Sequence, residues 1–171
     1  MRKSQQQLLK LILTAMMAAL CMVLDRLTPM TANMKLGIAF VPIILVAVVC
    51  GPIHATAAWG IADLIGSLVF AKGAPIPGIT VVYALMGLVY GLCLYRGRLC
   101  WWRVLLPAAV NQFVLALFGT TLFLAFAYYG IQNYWAVLAS RILQCVILFA
   151  LNLLFIPILH RLGVSLRRRM N

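Results

Sequence analysis

The sequence has very few charged residues, and this scarcity excludes most soluble folds. Only 9% of its 171 residues are Asp, Glu, Lys or Arg, whereas 65% are hydrophobic. Soluble domains are about half apolar and about one quarter charged, and a soluble core of this size could not bury so much apolar surface. Lipid must therefore be the solvent for most of the chain, which predicts an integral membrane protein.

Patterns that would indicate an enzyme, a metal site or a disulfide framework are also missing. The five cysteines form no C-x-x-C pair, and the two histidines, His54 and His160, are far apart in the sequence. The segment Gly73–Gly78 has the glycine spacing of a phosphate-binding loop, but Ile79-Thr80 follows where Lys and then Ser or Thr are required. We therefore expect no catalytic residue, metal or cofactor, and ATP-driven transport would need other subunits.

Six apolar runs account for most of the chain, and each is near the roughly 20 residues needed to cross a bilayer. They lie at about Leu8–Leu24, Leu36–Cys50, Ala55–Phe70, Ile76–Tyr95, Val104–Tyr128 and Tyr134–His160. The Gly51-Pro52 turn separates the second and third runs, so we expect two helices there and not one long helix. The prediction is an all-α integral membrane protein, a six-helix transmembrane bundle in which residues 1–171 form one domain.

Lys and Arg residues are distributed unequally between the two sides of this predicted bundle. With the N-terminus inside, ten lie on the inner side, namely Arg2, Lys3, Lys10, Arg96, Arg98, Arg103, Arg161, Arg167, Arg168 and Arg169. Three lie outside, namely Arg26, Lys35 and Lys72. This bias predicts that both termini are cytoplasmic, with the first helix retained in the plasma membrane and not removed as a signal peptide. Because the net charge of +12 lies in short connections and tails, we expect no nucleic-acid partner.

Ionisable residues within membrane spans are costly to bury and therefore indicate function. Asp63 in the third run and Arg141 in the sixth are each about seven residues from the outer end, or roughly 10 Å deep. Tyr83 on the fourth run has a similar depth, and Gln144 lies one turn below Arg141. We predict that these four side chains share one level and bind a ligand. The alternative is that Asp63 and Arg141 form a structural ion pair.

The outer connections carry a second candidate set. Arg26, Lys35 and Lys72 would form a cationic rim there, which would favour an anionic ligand entering from outside. Ordinary contacts with lipid head groups are the alternative explanation for each of these residues.

Two small residues on the first helix are a candidate docking face. Ala15 and Ala19 lie four positions apart, so they share one side of the helix and would let another helix approach closely. The alternative is that this side packs within the bundle itself.

Taken together, these residues resemble the substrate-binding S components of energy-coupling factor (ECF) vitamin transporters, most closely the folate branch. The resemblance covers essentially the whole chain. The motifs that carry it are Leu36–Ile44, Gly51-Pro52, Trp59–Gly66, Pro77–Thr80 and Gly87–Gly91.

This resemblance implies a subunit that binds its vitamin from outside the cell. It also implies docking on a shared transmembrane coupling subunit that is driven by two ATP-binding cassette ATPases. Ala15 and Ala19 match the docking face of the family, and Arg26 and Lys35 match the loop that covers its pocket.

Folate would suit the candidate residues. Its two tail carboxylates could meet the outer basic residues, while Asp63 accepts hydrogen bonds from the pterin N–H groups and Tyr83 stacks on the ring. If Arg141 holds a carboxylate instead, the ligand would be another anionic vitamin. Two alternatives stay open: an S component for a pyrimidine precursor, pantothenate or a queuosine precursor, and a membrane scaffold that binds no small molecule.

Overall fold

The computed structural model describes residues 3–28, 37–69, 76–95, 100–129 and 134–170, and within these ranges the regular structure is entirely helical. The first four helices are α1 (Lys3–Leu27), α2 (Phe40–Val49), α3 (Pro52–Val69) and α4 (Pro77–Leu94). A continuous fifth segment follows, made of α5 (Trp101–Ala109), π1 (Val110–Thr120), α6 (Thr121–Leu124) and π2 (Ala125–Tyr129). The last helix, α7, runs from Tyr134 to Met170. The predicted all-α class is confirmed.

Four of the described helical stretches are long and apolar enough to cross a membrane. They are Ser4–Asp25, Pro77–Leu94, Trp101–Ala127 and Val137–Arg168. The chain therefore has the helices of a multi-pass membrane protein. Each of the six predicted runs contains a helix, but the second was predicted too long, because α2 begins at Phe40 and has only 10 residues. At 1.5 Å per residue it is about 15 Å long, roughly half the hydrocarbon core.

The short helix α2 is the centre of the bundle. It packs against α1, α3, α4 and α7. Six of its side chains are at most 1% exposed, namely Ile43, Ile44, Val46, Ala47, Val48 and Val49. A helix that is apolar on all sides can be enclosed by other helices or exposed to lipid, and the burial of these side chains shows that α2 is enclosed.

Gly51 makes the sharp turn between α2 and α3. Its φ of +102° is in a region that L-residues with a side chain rarely adopt, and its N–H donates to the carbonyl oxygen of Val46 at 3.2 Å. Pro52, whose φ suits the first position of a helix, then begins α3. The predicted separation of these two runs at Gly51-Pro52 is confirmed.

Two glycines let α3 and α4 approach closely. A Cβ atom at Gly87 would lie 2.5 Å from the carbonyl oxygen of Ala55, and one at Gly91 would lie 2.2 Å from the Cα of Pro52. Their G-x-x-x-G spacing places both on one side of α4, where only a hydrogen fits between the two backbones. This contact holds together the ends of α3 and α4 next to the Gly51 turn, and the candidate site lies further along the same two helices, at Asp63 and Tyr83.

The fifth segment is wider than an α-helix over much of its length, because π1 and π2 have i→i+5 hydrogen bonds. Pro107 lies inside α5 and supplies no backbone donor. The Thr120 hydroxyl donates to the carbonyl of Ala116 at 2.5 Å, a bond that competes with the regular backbone pattern. The segment brings α6 against α7.

Candidate functional site

The carboxylate of Asp63 is held in position by a neighbouring helix. Asp63 is on α3, and its Oδ2 accepts a hydrogen bond of 2.7 Å from the hydroxyl of Thr80 on α4. A carboxylate in a membrane bundle needs such a donor, because lipid supplies none. The bond therefore fixes one oxygen of Asp63 at the boundary between the two helices.

Three aromatic rings stack beside this carboxylate. Trp59 lies one helical turn before Asp63 on the same side of α3, and only 8% of its surface is exposed. Its ring stacks on Tyr83 with centroids 5.6 Å apart and an interplanar angle of 27°. It also stacks on Tyr90, with values of 5.9 Å and 13°. Packing on both neighbours makes Trp59 a rigid, flat wall.

These groups line a pocket between α1, α3 and α4. Its lining residues are Cys21, Met22, Asp25, Trp59, Ala62, Asp63, Gly66 and Tyr83. The whole chain has only two acidic residues against 14 Lys and Arg, and both of them, Asp25 and Asp63, line this pocket. Carboxylates accept several hydrogen bonds, and aromatic walls favour flat partners. The pocket therefore suits a flat ring system that carries N–H groups.

The structure brings together only part of the site predicted from the sequence. Asp63 and Tyr83 meet in the pocket, whereas Arg141 and Gln144 lie on α7. There the Arg141 Nη1 donates to the hydroxyl of Thr121 on α6 at 3.0 Å. Helix α7 packs mainly on α2 and the fifth segment, and α3 packs on α1, α2 and α4. The four side chains predicted at one depth therefore belong to two separate polar groups in the structure.

The suggested ion pair between Asp63 and Arg141 is not present among the described residues. Each side chain has a hydroxyl partner of its own, Thr80 for Asp63 and Thr121 for Arg141. The physical reason is that α3 packs mainly on α1, α2 and α4, whereas α7 packs mainly on α2 and the fifth segment.

The three outer basic residues lie outside what the structure describes. Lys35 and Lys72 belong to connections that are not described, and only the backbone of Arg26 is described, at the end of α1. Their predicted roles therefore stay predictions.

Ala15 and Ala19 face outward. Both are exposed on α1, and they are flanked by the exposed apolar side chains of Ile12, Met16 and Leu20. The alternative interpretation, in which this face packs within the bundle, does not fit that exposure. The face is open to lipid or to another protein.

Sequence reasoning missed most of the pocket lining, and three residues in or beside the pocket carried a signal that could have revealed them. Trp59 could have been found from its position four residues before Asp63, which puts both side chains on one side of a helix. Thr80 stands three residues before Tyr83 and could have been found in the same way. The signal for Asp25 was its rarity, since it is one of only two acidic residues in the chain.

The fold and the pocket define a multi-pass membrane protein with a ligand pocket between its helices, and a family model agrees. The model described as "ECF transporter, substrate-specific component" matches residues 9–160. This chain belongs to that family, the substrate-binding components of energy-coupling factor transporters. The resemblance inferred from its motifs is confirmed.

Curated relatives narrow the comparison to one branch of the family. The folate transporter FolT of Leuconostoc mesenteroides is 28% identical over 145 residues, which cover 82% of this chain and 78% of that protein. FolT of Streptococcus mutans is 27% identical over 164 residues, covering 90% and 88%.

A solved structure extends this similarity to the fold. The crystal structure of FolT bound with folic acid has a TM-score of 0.81 and 26% sequence identity, over 88% of this chain and 92% of that one.

Proposed function

We propose that this chain is the folate-binding component of an ECF-type importer. One observation carries the proposal: both acidic side chains of a strongly basic chain line one pocket, beside a stacked Trp and Tyr. The relatives named folate transporters, and the similar structure solved with folic acid, support the same ligand.

The pterin end of folate matches the chemistry of this pocket. A pterin is flat and presents an amino group and a ring N–H. Asp63 accepts hydrogen bonds from these groups, while the hydroxyl of Thr80 holds the carboxylate in place. Asp25 supplies a second acceptor, and Tyr83 and Trp59 supply the stacking surface.

The lining of the pocket indicates which part of folate it holds. Its two carboxylates and its aromatic rings suit the pterin ring system, and none of its described lining residues is basic. The glutamate tail therefore extends out of the pocket toward the outer connections. There Arg26, Lys35 and Lys72 meet the two tail carboxylates.

Transport requires partners, and the exposed face of α1 is the proposed contact. Ala15 and Ala19 dock on a transmembrane coupling subunit, which two ATP-binding cassette ATPases drive. The exposure of both alanines supports this role, because small residues allow close approach of a second helix. In the proposed topology residues 1–171 form a single domain with six membrane-crossing helices and both termini in the cytoplasm, and the chain itself carries no catalytic site.

A second candidate ligand follows from Arg141. The Nε of its guanidinium is buried without a hydrogen-bond partner, although Nη1 is bonded to Thr121. A ligand carboxylate that reached Arg141 would satisfy this group. The second candidate is therefore a smaller anionic vitamin, such as pantothenate, bound on the α6–α7 side.

Competitive calorimetry on the purified chain distinguishes these ligands. We expect folate and pteroate, which lacks the glutamate tail, to compete for one site, with folate the tighter because it adds the tail contacts. Pantothenate should not compete. Tight binding of pantothenate with no heat from pteroate would contradict the folate proposal and favour the second candidate.

A further inference from the structure

Basic residues gather at the end of the bundle where α2 ends, far from the pocket. We call this set the basic rim; its described members are Lys10, Arg103, Arg161, Arg167 and Arg168. Three contacts place parts of the rim together. The Cys50 thiol after α2 donates to the Lys10 carbonyl at 3.7 Å, and the Arg167 guanidinium lies 4.9 Å from the ring centre of Tyr95 after α4. Tyr95 in turn packs on the Gly51 turn.

The α7 end of the rim is fixed by close packing on α2. A Cβ at Gly163 would lie 2.7 Å from Cγ1 of Val48, so α7 passes directly over the end of α2. Helix α7 has 37 residues and is about 55 Å long, which exceeds the roughly 30 Å hydrocarbon core. Its last turns must therefore lie at or beyond the level of the lipid head groups.

The chain has no acidic side chain that could neutralise this rim. Its only two acidic residues, Asp25 and Asp63, line the pocket. Asp25 is 15 positions from Lys10 along α1, which is about 22 Å in a helix. At that distance, beyond two Debye lengths in physiological salt, the attraction between exposed charges is screened. The anions that compensate the rim must come from outside the chain.

The surroundings of the arginines indicate what kind of anion this is. Arg161 and Arg168 are seven residues apart and so share one side of α7, and both are exposed. Leu162 and Leu166 beside them are 54% and 40% exposed. On the neighbouring helix α5, two consecutive tryptophans are also exposed, Trp101 at 73% and Trp102 at 70%. Phosphates next to acyl chains satisfy all of these side chains at once, since Trp prefers the bilayer interface and Leu prefers hydrocarbon.

We propose that the basic rim is a binding surface for anionic phospholipids, with Arg161 and Arg168 contacting lipid phosphates and Trp101 and Trp102 seated at the same level. Arg167 is held on Tyr95 and adds charge from inside the surface. Such a surface anchors this end of the bundle in an anionic leaflet. It is independent of the ligand in the pocket.

Native mass spectrometry tests this surface directly. The protein is released from micelles containing equal amounts of phosphatidylglycerol and phosphatidylcholine, and the retained lipids are counted. Each basic residue near an anionic surface raises the affinity for that surface about fivefold. We therefore expect the ratio of retained phosphatidylglycerol to phosphatidylcholine to fall about twenty-five-fold in the Arg161→Gln, Arg168→Gln variant. The matched Arg161→Lys, Arg168→Lys variant keeps its charge and should keep most of that preference.

Two further measurements keep the result decisive. Folate binding by each variant checks that the protein is folded, and a salt titration of the unaltered protein must weaken the phosphatidylglycerol preference. Equal retention of both lipids by the unaltered protein would overturn the proposal. So would a glutamine variant that keeps its lipid preference but no longer assembles with the other transporter subunits, because the rim would then bind an acidic protein surface.

Discussion

The half-buried charged residues Asp63 and Arg141 were predicted at similar depths, but they have very different surroundings. Asp63 lies at the edge of a pocket, beside stacked rings, with one oxygen bonded to Thr80. Arg141 is bonded to Thr121 and lies one turn from a packed apolar cluster of Leu117, Leu138 and Cys145. Asp63 therefore borders a pocket that a ligand can enter, whereas Arg141 borders side chains that are packed against each other. Depth alone therefore does not define a site; neighbouring helices do.

The most severe loss is expected when α3 is pushed away from α4, because both helices supply residues that line the pocket. Gly91→Ala puts a Cβ 2.2 Å from the Pro52 Cα, and such overpacking should lower the free energy of unfolding by about 3 kcal/mol. Folate binding should be lost with it. The matched control is Gly60→Ala on the same interface, where the nearest atom would be 3.4 Å away. Thermal melts and calorimetry on both variants check this, and equal behaviour of the two would contradict the role of the close approach.

The next largest effect is expected at the pocket carboxylate. Asp63→Asn keeps the shape of the side chain but removes its charge and one acceptor, so folate should bind about 100-fold more weakly. Pteroate should weaken equally, because both molecules carry the pterin. Ser67→Ala is the control on the same helix, since the Ser67 hydroxyl bonds only within α3, to Leu64. If only the affinity for folate fell, and not that for pteroate, Asp63 would contact the glutamate tail and not the pterin ring.

A much smaller effect is expected on the other side of the bundle. Arg141→Gln should change folate affinity by less than about threefold while lowering the melting temperature, because the bond to Thr121 joins α6 and α7. In a double-mutant cycle with Asp63→Asn, the coupling energy should stay under about 0.5 kcal/mol, as for sites that share no partner. A strong coupling energy would indicate an ion pair between Asp63 and Arg141 and would contradict their separate hydroxyl partners in the structure.

No change in binding is expected from the outward face of α1. Replacing Ala15 and Ala19 with Trp should leave folate affinity of the isolated subunit unaltered and abolish uptake by the complete transporter, because the two helices can no longer approach. Ala57→Trp, at another exposed alanine on α3, is the control. If affinity and uptake fall together, the face contributes to the bundle and is not a docking surface.

Much of the fold could be predicted because it depends on local chemistry. Apolar runs mark the helices, and Gly51-Pro52 marks the turn between α2 and α3. The length of α2 could not be predicted in this way, because Ile38 and Ala39, directly before Phe40, are apolar but are not part of the helix. A helix sheltered by its neighbours has no need to span the bilayer by itself.

The site was predictable only in part, for a geometric reason. Sequence position gives depth along a helix, and that was enough to select Asp63 and Tyr83. It does not say which helices are neighbours, so Arg141 was grouped with residues it does not meet. Trp59 could have been predicted from the sequence, because residues four positions apart lie on the same side of a helix. This holds for Trp59 and Asp63 on α3 however the other helices are arranged.

In the proposed complex the pterin ring lies against Trp59, and tryptophan fluorescence can detect this contact. The chain has four tryptophans, and Trp59 is the one that lines the pocket. In a variant with Trp101, Trp102 and Trp135 changed to Phe, folate should quench the remaining fluorescence in a saturable manner. In the Trp59→Phe variant, folate should lower the fluorescence only by absorbing light, to the same small extent as in a solution of free tryptophan. Saturable quenching in the Trp59→Phe variant, with none when Trp59 is the sole tryptophan, would contradict the account.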